Sequence, residues 1–115
     1  MKFSVLLAVL AEEMEDKAID IAKKEGAGAV TLFNARGITA DEKKTFFGLT
    51  YEGSQSILMF ILERRLSLQV MKRLTRELDL ENDSRGVVFT FPIEHVGGFN
   101  MEEVEQFTES LKDEL

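Results

Sequence analysis

Two segments of this chain carry apolar side chains on both of their faces. Along the segment 54–62, one face would hold Ile57, Met59 and Ile61, and the other Leu58, Phe60 and Leu62. Along the segment 2–10, Phe3, Val5, Leu7 and Val9 alternate with Leu6, Ala8 and Leu10. An antiparallel sheet covered by helices on one face commonly presents polar residues to water on the other. Each large apolar side chain left in water forgoes roughly 1.5–3 kcal/mol, so we expect something to cover the second face.

The remaining periodicities predict one domain with four strands and two helices in its 115 residues. The predicted strands are Lys2–Leu10, Val30–Arg36, Ser54–Leu62 and Gly86–Ile93, and the predicted helices are Glu12–Glu25 and Ser67–Leu78. A long polar loop, Gly37–Gly53, separates the second and third strands, and Thr39–Glu42 within it has the form of a capping box. This order is the split βαβ arrangement, so the predicted fold class is α+β, a ferredoxin-like βαββαβ sandwich.

The negative charge is concentrated at the end of the chain. The net charge is -7, and the segment Asn100–Leu115 alone contributes -5. Apolar residues recur there at helical spacing, namely Met101, Val104, Phe107, Leu111 and Leu115. We therefore predict a domain over residues 1–97 followed by an acidic C-terminal helix over 98–115. The acidic balance argues against a nucleic-acid partner.

Either the C-terminal helix or other copies of the chain could cover the second sheet face. The exposed patch would exceed the ~300–600 Å² usual on monomers. One amphipathic helix of about 15 residues is a poor match to a whole sheet face, so a closed oligomer is the better account.

Composition limits the chemistry available to the chain. It has no cysteine and one histidine, and the absence of cysteine suits the reducing cytoplasm. The apolar start, Phe3–Ala11, is followed at once by acidic residues and lacks an A-x-A cleavage site, so we interpret it as a core strand and not as a signal peptide. No run approaches the ~18 apolar residues of a membrane span, and no nucleophile–base arrangement is visible. Neither membrane insertion nor enzymatic activity is predicted.

Several side chains could form sites, and most have a simpler explanation. Phe46, Phe47 and Tyr51 in the polar loop either dock on a partner or fold back onto the body. The basic group around the second helix, Arg64, Arg65, Lys72, Arg73 and Arg76, is best explained as a solvated helix face. His95 beside Glu94 would need further carboxylates from other subunits to hold a metal.

Two stretches resemble the PII signalling proteins and their PII-like relatives, the nitrogen regulatory protein P-II superfamily. Gly28–Gly37 resembles the family's second strand, with Thr31, Arg36 and Gly37 matching position for position. Near the other end of the domain, Gly86, Phe89, Pro92, Glu94 and Val96 match the family's fourth strand. The resemblance runs over residues 1–97. It implies a trimer whose sheets face one another across a threefold axis, which would cover the second face.

The same resemblance implies nucleotide pockets between subunits. Carried over residue by residue, it nominates Thr31, Arg36, Gly37 and Gly86, with Arg85 as the replacement for one cation. The family's phosphate loop carries a lysine where this chain has Val87, and Glu81 and Asp83 are added nearby. A polyphosphate requires cations and closely approaching amides. The usual ATP site is therefore not expected, which leaves a small anion, an adenine monophosphate or a different ligand.

The function implied by the resemblance is that of a PII-like signal-transduction protein. Such a homotrimer would sense a small metabolite and regulate a partner protein or a membrane transporter through the loop 37–53. One alternative is a trimeric CutA-like metal-tolerance protein, with His95 and nearby carboxylates as ligands. Another is a small ferredoxin-like enzyme such as a monooxygenase, against which the single histidine and the absence of tryptophan argue.

Overall fold

The computed structural model describes residues 1–37, 45–46, 49–50, 53–83 and 85–98. In chain order the elements are β1 (Phe3–Ala11), a 3-10 turn (Glu12–Met14), α1 (Glu15–Glu25), β2 (Thr31–Gly37), β3 (Thr45–Phe46), β4 (Leu49–Thr50), β5 (Gly53–Glu63), α2 (Arg64–Glu77) and β6 (Gly86–Pro92). The four long strands and two helices confirm the predicted ferredoxin-like α+β fold. The predicted C-terminal helix lies, apart from its first residue Gly98, outside the described residues.

The four long strands form one antiparallel sheet in the order β2-β5-β1-β6. The central pair, β1 and β5, is in register from Phe3 opposite Glu63 to Ala11 opposite Gln55. Pro92 ends the edge strand β6, where its missing backbone N–H costs little. Because β2 and β6 are the two edges, residues on these strands are separated by the full width of the sheet.

Both helices cover one face of the sheet and form the core with it. The sheet side chains on that face are Leu6, Ala8 and Leu10 from β1 and Leu58, Phe60 and Leu62 from β5, all buried. Ile21 of α1 and Val70 and Leu74 of α2 pack against them. The alternation in the sequence groups these side chains on one face of each strand, and the structure shows that this is the face the helices cover.

The two ends of helix α1 are fixed by a hydrogen bond from β5 at its start and by a glycine at its end. Ser56 on β5 is buried, and its hydroxyl donates a 2.8 Å hydrogen bond to a carboxylate oxygen of Glu15 in the first turn. Gly26 ends the helix in the left-handed region, with φ of 118°, which glycine adopts without steric cost. The predicted end of this helix at Glu25 is confirmed.

Helix α2 begins at Arg64, three residues before the predicted start at Ser67. The carboxylate of Glu63 accepts hydrogen bonds from the backbone N–H groups of Arg65, at 2.9 Å, and Leu66, at 3.2 Å. This N-cap satisfies donors that a helix start otherwise leaves unpaired. Glutamate is not among the preferred capping residues, which is why the sequence pattern placed the start too late.

The segment between β2 and β5 contains a short strand pair, whereas the sequence pattern predicts a loop there. Thr45 pairs with Thr50 and Phe46 with Leu49 in the short β3–β4 pair. Threonine and phenylalanine favour extended backbone, which accounts for the difference. The predicted helical turn at Thr39–Glu42 lies outside the described residues.

The second face of the sheet carries large apolar side chains that are open to solvent in the single chain. Ile61 and Phe91 flank Val5 in one row across the sheet and are 48% and 44% exposed. Phe89 and Phe33 in the neighbouring rows are 40% and 45% exposed. This open face is defined by the residues that share these rows, namely Val5, Leu7, Val9, Phe33, Ile57, Met59, Ile61, Val87, Phe89 and Phe91.

Within the described part of the chain, no helix combines the length and the apolar character needed to cross a lipid bilayer.

Candidate functional site

The residues nominated by the family resemblance lie at two edges of the sheet. Gly37 ends β2 and pairs with Gly53, so these two glycines form the base of the long loop. Gly86 begins β6 and pairs with Leu10 at the same end of the sheet. Strands β5 and β1 stand between them, so three strand spacings put the two edges about 14 Å apart. One chain alone does not bring the two halves into contact.

Thr31 lies apart from both halves. It begins β2 opposite Met59, five residues before Arg36, a separation of about 17 Å along a strand. It borders a cleft of about 400 Å³ whose lining is largely apolar. Glu63 is the charged residue among the described lining residues, and its carboxylate already caps α2. Among the described residues, the lining of the cleft beside Thr31 therefore offers no cation to an anionic ligand.

Arg36 borders a second cleft, of about 440 Å³, at the base of the loop. The other lining residues are Glu12, Asn34, Ala35, Ser54 and Gln55. The Arg36 side chain is exposed, and no hydrogen bond or ion pair joins it to another residue in the part of the chain that the structure describes. Guanidinium, amide and hydroxyl groups are donors that suit a carboxylate or phosphate oxygen. Among the described residues, this cleft has the chemistry of a small-anion site, with Glu12 as the opposing charge in its lining.

Arg85, in contrast, is fully engaged by carboxylates of its own chain. Its Nε and Nη2 atoms donate to the two carboxylate oxygens of Asp83 at 2.9 and 2.7 Å, and Nη1 donates to Glu13 at 2.6 Å. The hydrogen bonds from Arg85 lower the pKa of the Asp83 carboxyl, and Asp83 raises the pKa of Arg85 in return. The family resemblance nominates Arg85 as a ligand cation, and the added acid Asp83 lies two residues before it in the sequence. The pairing of Arg85 with Asp83 and Glu13 was not predicted, although the Asp83-x-Arg85 spacing is a visible signal for the first of these partners.

Gly86 has a packing reason for lacking a side chain. A Cβ atom built there would lie 2.7 Å from a terminal methyl of Leu10 and 2.7 Å from one of Leu80. Both distances are far shorter than a carbon–carbon contact. The glycine lets β6 approach β1 and the turn after α2, and this requirement explains the residue without any ligand.

The remaining candidates are separated from this region or only partly described. Phe46 lies in β3, whereas Phe47 and Tyr51 lie outside the described residues. His95 and Glu94 are exposed, and the described ranges contain no group of three histidine, aspartate or glutamate side chains placed to hold a metal ion.

The basic group on α2 has partners within the fold at one position. Arg73 forms ion pairs with Glu77 on its own helix and with Glu25 at the end of α1, the latter at 3.0 Å. These hydrogen bonds raise the pKa of Arg73. Arg64, Arg65, Lys72 and Arg76 are all exposed, as expected for a solvated helix face.

Comparison with known proteins finds similarity in structure. No protein-family model matches the sequence, and no curated protein matches it. A PII-like signalling protein from Thermus thermophilus is 18% identical with a TM-score of 0.62, over 81% of this chain and 88% of that one. The nitrogen regulatory PII-like protein CPII from Thiomonas intermedia, whose structure holds ADP, AMP and bicarbonate, is 16% identical with a TM-score of 0.62, over 86% and 98%.

A DUF3240 family protein from Shewanella baltica is similar as well, with 12% identity and a TM-score of 0.63 over 87% of this chain and 99% of that one. The matches span nearly the whole length of these proteins. At identities of 12–18%, these matches show a shared fold. The chain has the fold of the PII-like signalling proteins.

Proposed function

We propose that this chain is a divergent PII-like signal-transduction protein, a non-enzymatic homotrimer that senses a small anionic metabolite in the cytoplasm. Arg36 carries the proposal, because its exposed guanidinium, unpaired within the described residues, borders a polar cleft at the base of the long loop. A guanidinium that forms no ion pair among the described residues and lies beside amide and hydroxyl groups is a suitable partner for a carboxylate or phosphate oxygen.

The open face supports the assembly part of the proposal. Ile61, Phe89 and Phe91 are each at least 40% exposed in the single chain, and they belong to one continuous apolar surface across three strands. Monomeric proteins rarely leave a contiguous apolar patch of this kind in water. Packing this face against the same face of other copies would bury it in a closed ring.

Assembly would also complete the site. Arg36 with Gly37 and Arg85 with Gly86 lie on opposite edges of one sheet, about 14 Å apart. In a ring, the β2 edge of one chain would lie beside the β6 edge of another. We therefore propose that the ligand binds between subunits, with Arg36 of one chain as its principal contact.

The neighbour CPII suggests the class of ligand. Its structure is that of a PII-like protein bound to ADP, AMP and bicarbonate. In the present chain Val87 follows Gly86 at the start of β6, where the family carries a lysine, so fewer cations are available for phosphate groups. A small anion such as bicarbonate, or an adenine nucleotide with a single phosphate, fits one available guanidinium best.

Ligand binding at Arg36 would affect a partner protein by changing the conformation of the loop 37–53. The loop is closed at its base by the pairing of Gly37 with Gly53, one residue from Arg36. A ligand that contacts Arg36 differently in two loop conformations would shift the population between them. We propose that Phe46, Phe47 and Tyr51 of this loop then dock on a target protein or a membrane transporter.

A binding experiment tests the sensor. Thermal shift and calorimetry with bicarbonate, AMP and ADP should identify an anion that binds the wild type and is lost, by at least tenfold in affinity, in Arg36→Ala. Arg64→Ala is the matched control, because Arg64 is also an exposed arginine and begins α2 beside Lys2 at the far end of the sheet. Equal loss in both variants, or no anion binding in the wild type, would contradict the proposal.

A further inference from the structure

We infer that the loop before β6 is closed to phosphate by the chain's own carboxylate, Asp83, which acts as an internal counter-anion for Arg85. This inference rests on the proposed function, because it names which of the two cations at this end of the sheet is open to the ligand. It makes Asp83 a residue that determines which anions the protein accepts.

Asp83 accepts the hydrogen bonds from Arg85 that an oxyanion would otherwise accept. Its two carboxylate oxygens accept hydrogen bonds from Nε and Nη2 of Arg85 at 2.9 and 2.7 Å. One of the same oxygens also accepts from the backbone N–H of Arg85 at 3.1 Å. A guanidinium fork together with a loop N–H is the combination that binds a phosphate oxygen pair. Here an internal carboxylate fills it.

Glu13, in the 3-10 turn after β1, is a second carboxylate that pairs with Arg85. Its carboxylate accepts a 2.6 Å hydrogen bond from Nη1 of Arg85 across a sequence separation of 72 residues. The three side chains together carry a net charge of -1, so an approaching anion meets repulsion where the family resemblance would suggest attraction. The backbone also fixes this end of the loop, since Ala11 N–H donates to the Arg85 carbonyl at 2.9 Å.

The turn after α2 holds Asp83 in place. Asp79 adopts a left-handed conformation with φ of 53°, and its carbonyl accepts a 2.8 Å hydrogen bond from the backbone N–H of Asp83. The side-chain amide of Asn82 donates to the carboxylate of Asp79 at 2.9 Å. Asp83 is therefore presented to Arg85 by a hydrogen-bonded turn. An external anion would have to displace a carboxylate that the chain itself keeps at high local concentration.

The consequence is a division of roles between the two arginines. Arg36 has no such partner in the described part of the chain and takes the single anionic group of the ligand. A second phosphate reaching toward β6 would find Arg85 already neutralised. The chain is thereby set to favour ligands with one anionic group over polyphosphates, and removal of the Asp83 charge should reverse that preference.

The test uses inorganic pyrophosphate as the probe, measured by calorimetry at low salt on the full-length protein. Asp83→Asn keeps the shape of the side chain and removes its charge, and should raise pyrophosphate affinity at least tenfold over the wild type. Glu81→Gln is the control, because Glu81 is an exposed acid in the same turn and is not among the carboxylates that pair with Arg85 in the described residues. It changes the net charge equally and should alter affinity less than threefold.

The gain must also depend on Arg85. The double variant Asp83→Asn/Arg85→Ala should lose the increase in pyrophosphate affinity. Glu13→Gln, which leaves the turn intact, should increase pyrophosphate affinity by a smaller factor than Asp83→Asn. Unchanged affinity in Asp83→Asn, or an equal gain in Glu81→Gln, would overturn the inference. Loss of bicarbonate or AMP binding in Arg36→Ala tests the proposed function separately, since that readout does not involve Asp83.

Discussion

Arg36 and Arg85 lie at the same end of the sheet but on its two opposite edges. Arg36 precedes the last residue of β2, and Arg85 immediately precedes β6, with β5 and β1 between them. Arg85 is held by Asp83 and Glu13, whereas Arg36 has no ion-pair partner among the described residues. The two nominated cations are thus in different electrostatic states, and a site that used both edges would need a second chain.

The open face is where a charged substitution should break assembly. Ile61→Asp places a carboxylate at a position that is 48% exposed in the single chain and that we expect to be buried between copies. An unpaired buried charge costs several kcal/mol, so the variant should be monomeric by light scattering at micromolar concentration.

Leu68→Asp is the matched control for this substitution. Leu68 is 40% exposed on α2, on the opposite side of the sheet from the open face, so its variant should keep the mass of the wild type. A monomer in both variants would point to a general loss of folding. Oligomers in both would place the assembly contact on some other surface.

Gly86 should resist substitution for reasons of packing. Gly86→Ala forces its new Cβ within 2.7 Å of methyl groups of Leu10 and Leu80, and we expect a loss of about 1–2 kcal/mol in the free energy of unfolding, toward the lower end of overpacking costs. Gly28→Ala meets no atom within 4 Å and should change stability by less than about 0.5 kcal/mol. Urea unfolding at one fixed protein concentration measures both. Equal effects would contradict the packing explanation.

The Asp83–Arg85 pair gives stability a defined pH dependence. Its hydrogen bonds lower the pKa of Asp83 in the folded chain, so the pair stabilises the fold fully above the ordinary carboxyl pKa. That contribution is lost as the pH falls through the lower folded-state value. The difference in unfolding free energy between wild type and Asp83→Asn should therefore be constant from about pH 5 to 7 and shrink below about pH 4. A difference that grows on acidification would contradict the pairing.

Ser56 should matter more than its size suggests. It is completely buried, and its hydroxyl donates to the half-buried carboxylate of Glu15 at the start of α1. Ser56→Ala leaves that carboxylate oxygen short of a donor, so we expect a loss of about 1–3 kcal/mol in unfolding free energy. Ser54→Ala, two residues away on the same face of β5 and exposed, should stay within about 0.5 kcal/mol. Indistinguishable stabilities would show that Ser56 does not anchor the helix.

The sequence predicted those parts of the fold that depend on local periodicity. Alternation along β1 and β5 separates Leu6 and Phe60 from Val5 and Ile61, and the structure shows that the first pair enters the helix-covered core. Because both faces are apolar, the sequence does not indicate which face the helices cover. The start of α2 was placed late because Glu63 caps through its geometry and not through its residue type.

The state of the site could not be predicted in the same way. Arg85 is paired with Asp83, two residues before it, and also with Glu13, which is 72 residues away in the chain. Gly86 matched a family motif, yet its requirement comes from Leu10 and Leu80. Such contacts depend on tertiary packing, which periodicity does not encode. The sequence therefore identified the loop before β6 as a candidate site but did not predict the ion pairs of Arg85 there.

The mass of the wild-type protein in dilute solution tests the central claim most directly, because the proposed site lies between chains. Sedimentation equilibrium at micromolar concentration should give about three times the 13.0 kDa of one chain, with no change on moderate dilution. A single species of 13.0 kDa would contradict the account, since the open face would then be stable in water or covered from within, and Arg36 and Gly86 would have no second chain to bring them together.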